Sequence, residues 1–198
     1  NGVAQAISVV IGFADWQIPA GGTTPVFIVG SDLRAGGLLP WNLVEGSLEA
    51  LAIPGAVAVD RSYFKRLGIS GIGSTAEIRE QKVEVRAVTK GIRSFTTTPY
   101  VFTTADRARA YTGVSPSKIT YLLVRVAPGV DVDSVRRRLK DNLADVDVEA
   151  CGFVSHVRDG TPGGGPAQAR PDKGMAPGSG GAVAARIGDA VRRWLEAL

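Results

Sequence analysis

The pattern of apolar and polar residues predicts a series of short strands. Residues 82–88 alternate polar and apolar side chains, so one face of a strand there would be buried and the other solvated. Residues 119–127 are apolar almost throughout, as expected of an interior strand. Apolar stretches at 6–13 and 25–29, separated by turn-forming residues, predict an N-terminal hairpin.

Helical spacing and capping residues predict short helices between the strands. Four apolar residues, beginning with Trp41, recur at helical spacing after Pro40 and predict a helix over 41–51. Asp60 is expected to cap a brief helix that ends at Gly68. Further helices are predicted at 105–111 and after Asp131, and further strands at 56–59, 75–79, 82–89, 100–103 and 145–149.

These elements indicate an α+β fold. The predicted strand, helix and strand that end at Val148 form a split β-α-β half of ferredoxin type. The N-terminal hairpin with the following helix and strand is expected to be its counterpart.

The composition changes after Cys151. Residues 150–181 are rich in Gly and Pro and have too few apolar side chains to offset the entropy of ordering, so they are expected to form a flexible linker or tail. Helical spacing returns at Val183, Ile187 and Val191, which predicts a terminal amphipathic helix over 182–198.

The overall composition is that of a soluble globular protein. The chain has 198 residues, of which 44% are hydrophobic and 21% are charged, with a net charge of +4. The densest basic cluster, Arg136 to Arg138 with Lys140, is interleaved with aspartates, so we interpret it as a solvated helix face and expect no nucleic-acid partner.

The sequence also argues against a disulfide-linked or zinc-binding protein and against a membrane span. The single cysteine, Cys151, excludes an intramolecular disulfide and a multi-cysteine zinc site. No apolar run approaches the roughly 20 residues of a membrane span. The first residues do not form a signal peptide, and we expect the sequence to be cut from a longer protein.

Candidate chemistry is sparse. The only histidine, His156, lies beside the Gly-rich segment, where no partner is placed by spacing. The glycines at 68, 71 and 73 precede a strand instead of a helix, which favours a turn over a phosphate-binding loop. Glu84 and Asp60 have no evident carboxylate partner, so we interpret them as solvated surface residues. We therefore expect no catalytic, cofactor-binding or metal-binding residues.

The segment 93–100 is the one candidate contact site. It combines Arg93, Phe95 and Tyr100 in a predicted loop, and these residue types are enriched at protein interfaces. The alternative is that Phe95 and Tyr100 belong to the core.

The order of several motifs resembles a known family. The chain is similar to the MacB-like periplasmic core domain of FtsX-type ABC transporter permeases, especially the DevC-like branch, over residues 1–149. The residues that carry the resemblance are Val59-Asp60-Arg61-Ser62, Leu67-Gly68, Val83 to Val88, Thr89 with Gly91, Ser94-Phe95, Tyr100-Val101-Phe102-Thr103, Tyr121-Leu122-Leu123-Val124, Pro128-Gly129-Val130-Asp131 and Leu139.

The resemblance implies two porter-type β-α-β halves with an inserted mostly β subdomain, which we place at about 61–117. It also implies a location on the periplasmic side of the bacterial inner membrane, between membrane segments absent from this chain. The partners would be a periplasmic adaptor protein and, through the full-length permease, a cytoplasmic ATPase subunit. Such a domain is not an enzyme and transmits conformational change during export.

The sequence departs from the family pattern after Glu149. A Gly/Pro-rich segment and a charged helix with Arg192 and Arg193 stand where the family has a membrane span. The alternative function is a small-ligand-binding or enzymatic α+β domain whose site residues meet only in space.

Overall fold

A computed structural model describes residues 2–33, 37–93, 97–116, 118–143, 148–151 and 182–186. Within these ranges the chain forms ten strands and three α-helices. The strands are β1 (Val3–Gln17), β2 (Thr23–Ser31), β3 (Leu43–Gly46), β4 (Ala56–Asp60), β5 (Thr75–Ile78), β6 (Gln81–Thr89), β7 (Tyr100–Thr104), β8 (Tyr121–Val126), β9 (Val148–Cys151) and β10 (Ala182–Arg186). The helices are α1 (Phe64–Leu67), α2 (Ala105–Thr112) and α3 (Val132–Asn142), with 3₁₀ helices at Glu49–Ala52 and Arg61–Tyr63.

Strand β1 organises the sheet. Its C-terminal part pairs with β2 on one edge and, at Trp16 and Gln17, with β5 on the other. Its N-terminal part, from Val3 to Val9, pairs with β8. The pairings β1–β2–β7–β4–β6–β5 return to β1 and so close a ring of six strands. The predicted N-terminal hairpin is confirmed as β1 and β2.

The ring encloses the main core. Apolar residues from all six strands meet there, together with α1 and α2, and Trp16 donates its indole N–H to the Leu67 carbonyl at 3.0 Å. The fully buried members from the strands are Val10, Trp16, Val26, Ile28, Val57, Val59, Ile78, Val83, Val85, Val88 and Val101. Burial of this apolar surface supplies most of the stability of the ring.

Two smaller cores flank the ring. The end core lies between β8 and α3 and consists of Leu122, Val124, Val126, Val135, Leu139, Leu143 and Val148. The outer core covers the other face of β2, β4 and β7 and consists of Val29, Leu51, Ala56, Ala58, Ala87, Ile92 and Phe102. Because β4 contributes to both the main and the outer core, all five of its residues are buried.

The strand order around α3 matches the predicted split unit. Both β8 and β9 pair antiparallel with β10, so β8 and β9 run parallel with one strand between them. That is the arrangement of a split β-α-β unit. Helix α3 begins at the predicted cap, where Asp131 accepts a hydrogen bond from the Ser134 amide at 2.8 Å.

The predicted helix over 41–51 is wrong. The segment forms β3 and a 3₁₀ helix, because Asn42 and Gly46 have positive φ angles of 51° and 75° that a helix cannot contain. Gly46 also lies against the backbone of β6, where an added Cβ would be 2.1 Å from the Arg86 carbonyl oxygen. The second ferredoxin-like half is therefore not confirmed in detail.

The predicted terminal helix is also wrong in its first residues. Ala182–Arg186 form β10, because its backbone groups pair with β8 and β9 on both edges. The remainder, 187–198, lies outside the described residues, as does the predicted linker from 152 to 181. The inserted subdomain at 61–117 stays a prediction, and its strands β5–β7 share the main core with β1 and β2.

Helix α2 packs closely on β1 and β2 because the strands present glycines to it. A Cβ on Gly30 would be 2.1 Å from the Ala108 Cβ and 2.8 Å from the Thr104 carbonyl oxygen. A Cβ on Gly12 would be 2.8 Å from the Thr112 Cγ2. These contacts leave no room for larger residues at either glycine.

We expect Gly30→Ala to lower the free energy of unfolding by about 1–3 kcal/mol, because the added methyl overpacks the contact with α2. The measurement is urea denaturation followed by circular dichroism. Ala108→Gly alone should cost about 1 kcal/mol of helix stability. The double variant should lose less than the two single losses together, since removal of the Ala108 methyl makes room. Additive losses would contradict the close packing.

Tyr111 of α2 is the second sensitive position in this contact. Burial raises the pKa of its hydroxyl, and the neighbouring Arg107 offsets only part of that rise. No group in the described part of the chain makes a hydrogen bond of ordinary geometry with this hydroxyl. The folded state therefore favours the neutral phenol.

We expect the free energy of unfolding to fall above about pH 10, because the unfolded chain then ionises Tyr111 while the folded chain resists ionisation. Tyr111→Phe should reduce that fall and change stability at pH 7 by no more than about 1 kcal/mol. Denaturation at a series of pH values measures both effects. Tyr121→Phe, at a tyrosine that is 37% exposed, is the matched control. An equal change of alkaline slope in the two variants would refute the assignment.

Candidate interaction site

The loop between β6 and β7 is held at its start by the carboxyl group of Asp60. Asp60 is 1% exposed, and its Oδ2 accepts hydrogen bonds from the Thr89 hydroxyl at 3.1 Å and from the Ile92 amide at 2.7 Å. Its Oδ1 accepts from the amide and hydroxyl of Ser62 at 2.9 and 2.6 Å. The interpretation of Asp60 as a solvated surface residue is therefore wrong, whereas its predicted role as a helix cap is confirmed.

The same loop is held at its end by two other contacts. Arg66 of α1 donates to the Thr97 carbonyl at 2.7 Å and to the Thr24 hydroxyl at 3.0 Å. The Phe27 amide donates to the Pro99 carbonyl at 2.8 Å. The two ends of the loop are thus attached to α1, β2 and β4, and the residues between Ile92 and Thr97 connect them.

The three predicted contact residues have different outcomes. Arg93 is exposed just after the Asp60 contact. Tyr100 is half-buried and begins β7, so it belongs to a strand and not to the loop. Phe95 lies outside the described residues. Their role in binding a partner stays a prediction.

Tyr100 belongs to a row of aromatic side chains on the outer face of the sheet. Phe13 of β1 is opposite Phe27 of β2, and Phe27 is opposite Tyr100 of β7. The ring centroids of Phe13 and Phe27 are 4.9 Å apart, and those of Phe27 and Tyr100 are 5.4 Å apart, both in edge-to-face geometry. The strand register therefore brings three rings together from three strands.

Two more rings extend this row. Phe102 lies 6.2 Å from Tyr100, and Trp41 lies 6.1 Å from Phe102 in edge-to-face geometry. Phe102 is 3% exposed and anchors the row in the outer core, whereas Phe13 and Trp41 at the two ends are 66% and 49% exposed. We call these five residues the aromatic surface.

The other candidates from the sequence have structural roles. Gly68 is the left-handed cap that ends α1, and Gly73 donates its amide to the Val85 carbonyl at 2.8 Å, so the glycine-rich segment is a turn. On α3, Arg136 pairs with Asp133 at 3.3 Å, as expected of a solvated helix face. His156 lies outside the described residues. In the ranges described, no three His, Cys, Asp or Glu residues are grouped as a metal site requires.

The sequence matches the family model described as MacB-like periplasmic core domain over residues 1–142. The chain belongs to this family. Family membership confirms the resemblance that the motifs indicated. It also identifies the chain as a domain of the kind found in the periplasmic region of ABC transporter permeases, which is not a known enzyme family.

Two solved structures share the fold of this periplasmic core domain. The extracellular domain of the noncanonic ABC-type transporter YknZ from Gram-positive bacteria has a TM-score of 0.53 and 17% identity, over 72% of this chain and 77% of that chain. The periplasmic region of MacB from Actinobacillus actinomycetemcomitans has a TM-score of 0.52 and 13% identity, over 71% of this chain and 68% of that chain. No curated protein has significant sequence similarity to the chain. Among helices in the described ranges, none has the length and apolarity of a membrane span.

Sequence reasoning did not find most of the aromatic surface. The apolar pattern places Phe13 in a strand of the predicted hairpin and Trp41 in a predicted helix that does not form. The available signal was the run from 6 to 13, in which residues on both faces of the strand are apolar. A strand that is apolar on both faces is expected to be packed against other residues on both faces, but the outer face at Phe13 is largely exposed.

We expect Asp60→Ala to lower the free energy of unfolding by about 2–4 kcal/mol, because it leaves the buried Thr89 hydroxyl and Ile92 amide without an acceptor. Urea denaturation measures the loss, and amide hydrogen exchange should become faster at Ile92. Asp133→Ala is the control, since Asp133 is exposed and its removal should change stability by no more than about 0.5 kcal/mol. Equal losses in the two variants would show that Asp60 does not hold the loop.

Proposed function

We propose that this domain is an extracytoplasmic part of an ABC exporter permease, on the periplasmic side of the bacterial inner membrane. It contacts a periplasmic adaptor protein and transmits conformational change during export, while a cytoplasmic ATPase subunit acts through the full-length permease. The domain has no catalytic role of its own. The observation that carries the proposal is the family match over residues 1–142.

The shared strand gives this proposal a mechanical basis. β1 has 15 residues and is therefore about 50 Å long at the usual rise of a strand. One end packs in the end core with β8, and the other end forms part of the ring. Because a paired and buried strand is stiff, a displacement of α3 and β8 moves the ring as well.

The ring in turn carries the predicted contact residues. Tyr100 is in β7, which pairs with β2 and β4, and Arg93 follows the Ile92 amide held by Asp60. Movement of the ring therefore moves Arg93 and Tyr100 as one body. This favours a binding module over the alternative of a small-ligand or enzymatic domain.

We expect the purified adaptor protein of the same transporter to be retained by the immobilised chain of 198 residues. Arg93→Glu should weaken retention about tenfold or more, as reversal of a charge at an interface does. The exposed side chain of Arg93 can be changed without loss of core packing. Tyr100→Ala should also weaken retention, with thermal unfolding as a check that the variant is folded.

Lys140→Glu is the matched control, because Lys140 is an exposed cation on α3 and not on the loop. Its retention of the adaptor should equal that of the wild-type chain. If the folded wild-type chain does not bind the adaptor at all, the proposed function is wrong.

A further inference from the structure

We propose that the aromatic surface binds a segment of the adaptor that carries apolar side chains flanked by carboxylates. This inference rests on the proposed function and specifies the chemistry of the partner. It extends the contact beyond the loop, to Phe13 at one end of the row and Trp41 at the other.

The rings are pre-organised for binding. Phe13, Phe27 and Tyr100 are in register on three adjacent strands, and each ring contacts the next edge-to-face. Phe102 fixes the middle of the row from the outer core. Little side-chain entropy remains to be lost when a partner covers these rings, so their apolar area contributes efficiently to affinity.

Phe13 and Trp41, at the two ends of the row, are exposed at positions where an aromatic side chain is usually buried. Phe13 is 66% exposed although it lies in the middle of β1, a strand that is long and well paired. Trp41 is 49% exposed although its ring packs against a buried phenylalanine. Clustered exposed aromatics of this kind mark protein contacts.

The charge beside the Trp41 end of the surface is positive, whereas at the other end the exposed Asp15 shares its face of β1 with Phe13. Lys90 is exposed, and its amide donates to the Asn42 carbonyl at 3.1 Å, which places its backbone beside the residue that follows Trp41. Arg93 is exposed next to Ile92, a member of the outer core together with Phe102. Glu45, the acidic residue of the neighbouring β3, already pairs with Arg61.

These cations select among possible occupants. An acidic partner segment complements Lys90 and Arg93 at the Trp41 end. A second copy of this chain brings one carboxylate, Asp15, to the surface; a dimer in analytical ultracentrifugation that is lost in Trp41→Ser would overturn the inference. An anionic lipid surface complements the charge as well, but Phe13 lies within the sheet and not at a loop tip, so its ring cannot enter a bilayer ahead of the backbone. The observations therefore favour a protein segment.

The first test removes the ends of the row. We expect Phe13→Ser and Trp41→Ser each to weaken binding of the purified adaptor about tenfold or more, measured by calorimetry with the 198-residue chain. Ile72→Ser is the control, since Ile72 is 45% exposed and lies in the turn that hydrogen-bonds to Val85. Thermal unfolding shows whether each variant is folded.

The second test reverses the charge. The double variant Lys90→Glu with Arg93→Glu should lose more affinity at low salt than Arg93→Glu alone, and so more than about tenfold, and show a weaker dependence on salt than the wild-type chain. The control is Arg137→Glu with Lys140→Glu on the exposed face of α3. Equal salt dependence in the two double variants would overturn the assignment of an acidic partner.

The outcomes separate this inference from the proposed function. If the wild-type chain binds the adaptor and the Phe13 and Trp41 variants bind it equally well, the aromatic surface is not the contact, while the proposed function stands. If the folded wild-type chain does not bind the adaptor, the proposed function fails and this inference fails with it. Retention on anionic phospholipid vesicles that is lost in the same variants would show a lipid surface as the partner and would overturn the inference.

Discussion

The fold depends on one strand that belongs to two cores. The N-terminal half of β1 lies against β8 beside α3, and its C-terminal half closes the six-stranded ring between β2 and β5. Because β1 is one continuous strand, the end core and the ring cannot change their relative position unless β1 bends or loses its pairing with β8, β2 or β5. Because strand pairing and burial reinforce each other, such bending is costly. The molecule therefore behaves as a stiff body along the axis of this strand.

Two apolar faces on the same strands explain where the contact residues lie. The inner face of β1, β2 and β7 fills the main core, and the outer face supplies Phe13, Phe27 and Tyr100. The outer core covers this face near Phe102 but leaves Phe13 largely uncovered. In contrast, the buried Asp60 carboxyl holds the loop that carries Arg93. The loop held by Asp60 and the apolar outer face thus lie on the same side of the ring.

The sequence predicted the elements whose signal is local. The alternation at 82–88, the cap at Asp131 and the glycine that ends α1 specify structure through neighbouring residues, and β6, α3 and α1 formed as predicted. Residues 41–51 have helical apolar spacing, but the positive φ of Asn42 and the close approach of Gly46 to β6 are tertiary constraints that spacing does not reveal. The aromatic row was missed for the same reason, since register between β1, β2 and β7 decides which rings meet. Arg93 and Tyr100 are predicted as contact residues by residue type alone, and that role stays a prediction.

The sharing of β1 also bears on how the chain acquires its structure. Its partner β8 lies more than a hundred positions later, as the bonds between Ile11 and the Thr120 hydroxyl illustrate with a separation of 109 residues. Contacts between residues so far apart in sequence require a large loop to close, which costs conformational entropy before the contacts stabilise the fold. Such contacts therefore slow folding. During synthesis the part of β1 from Val3 to Val9 cannot pair with β8 until Val126 has emerged, although the rest of β1 can already pair with β2.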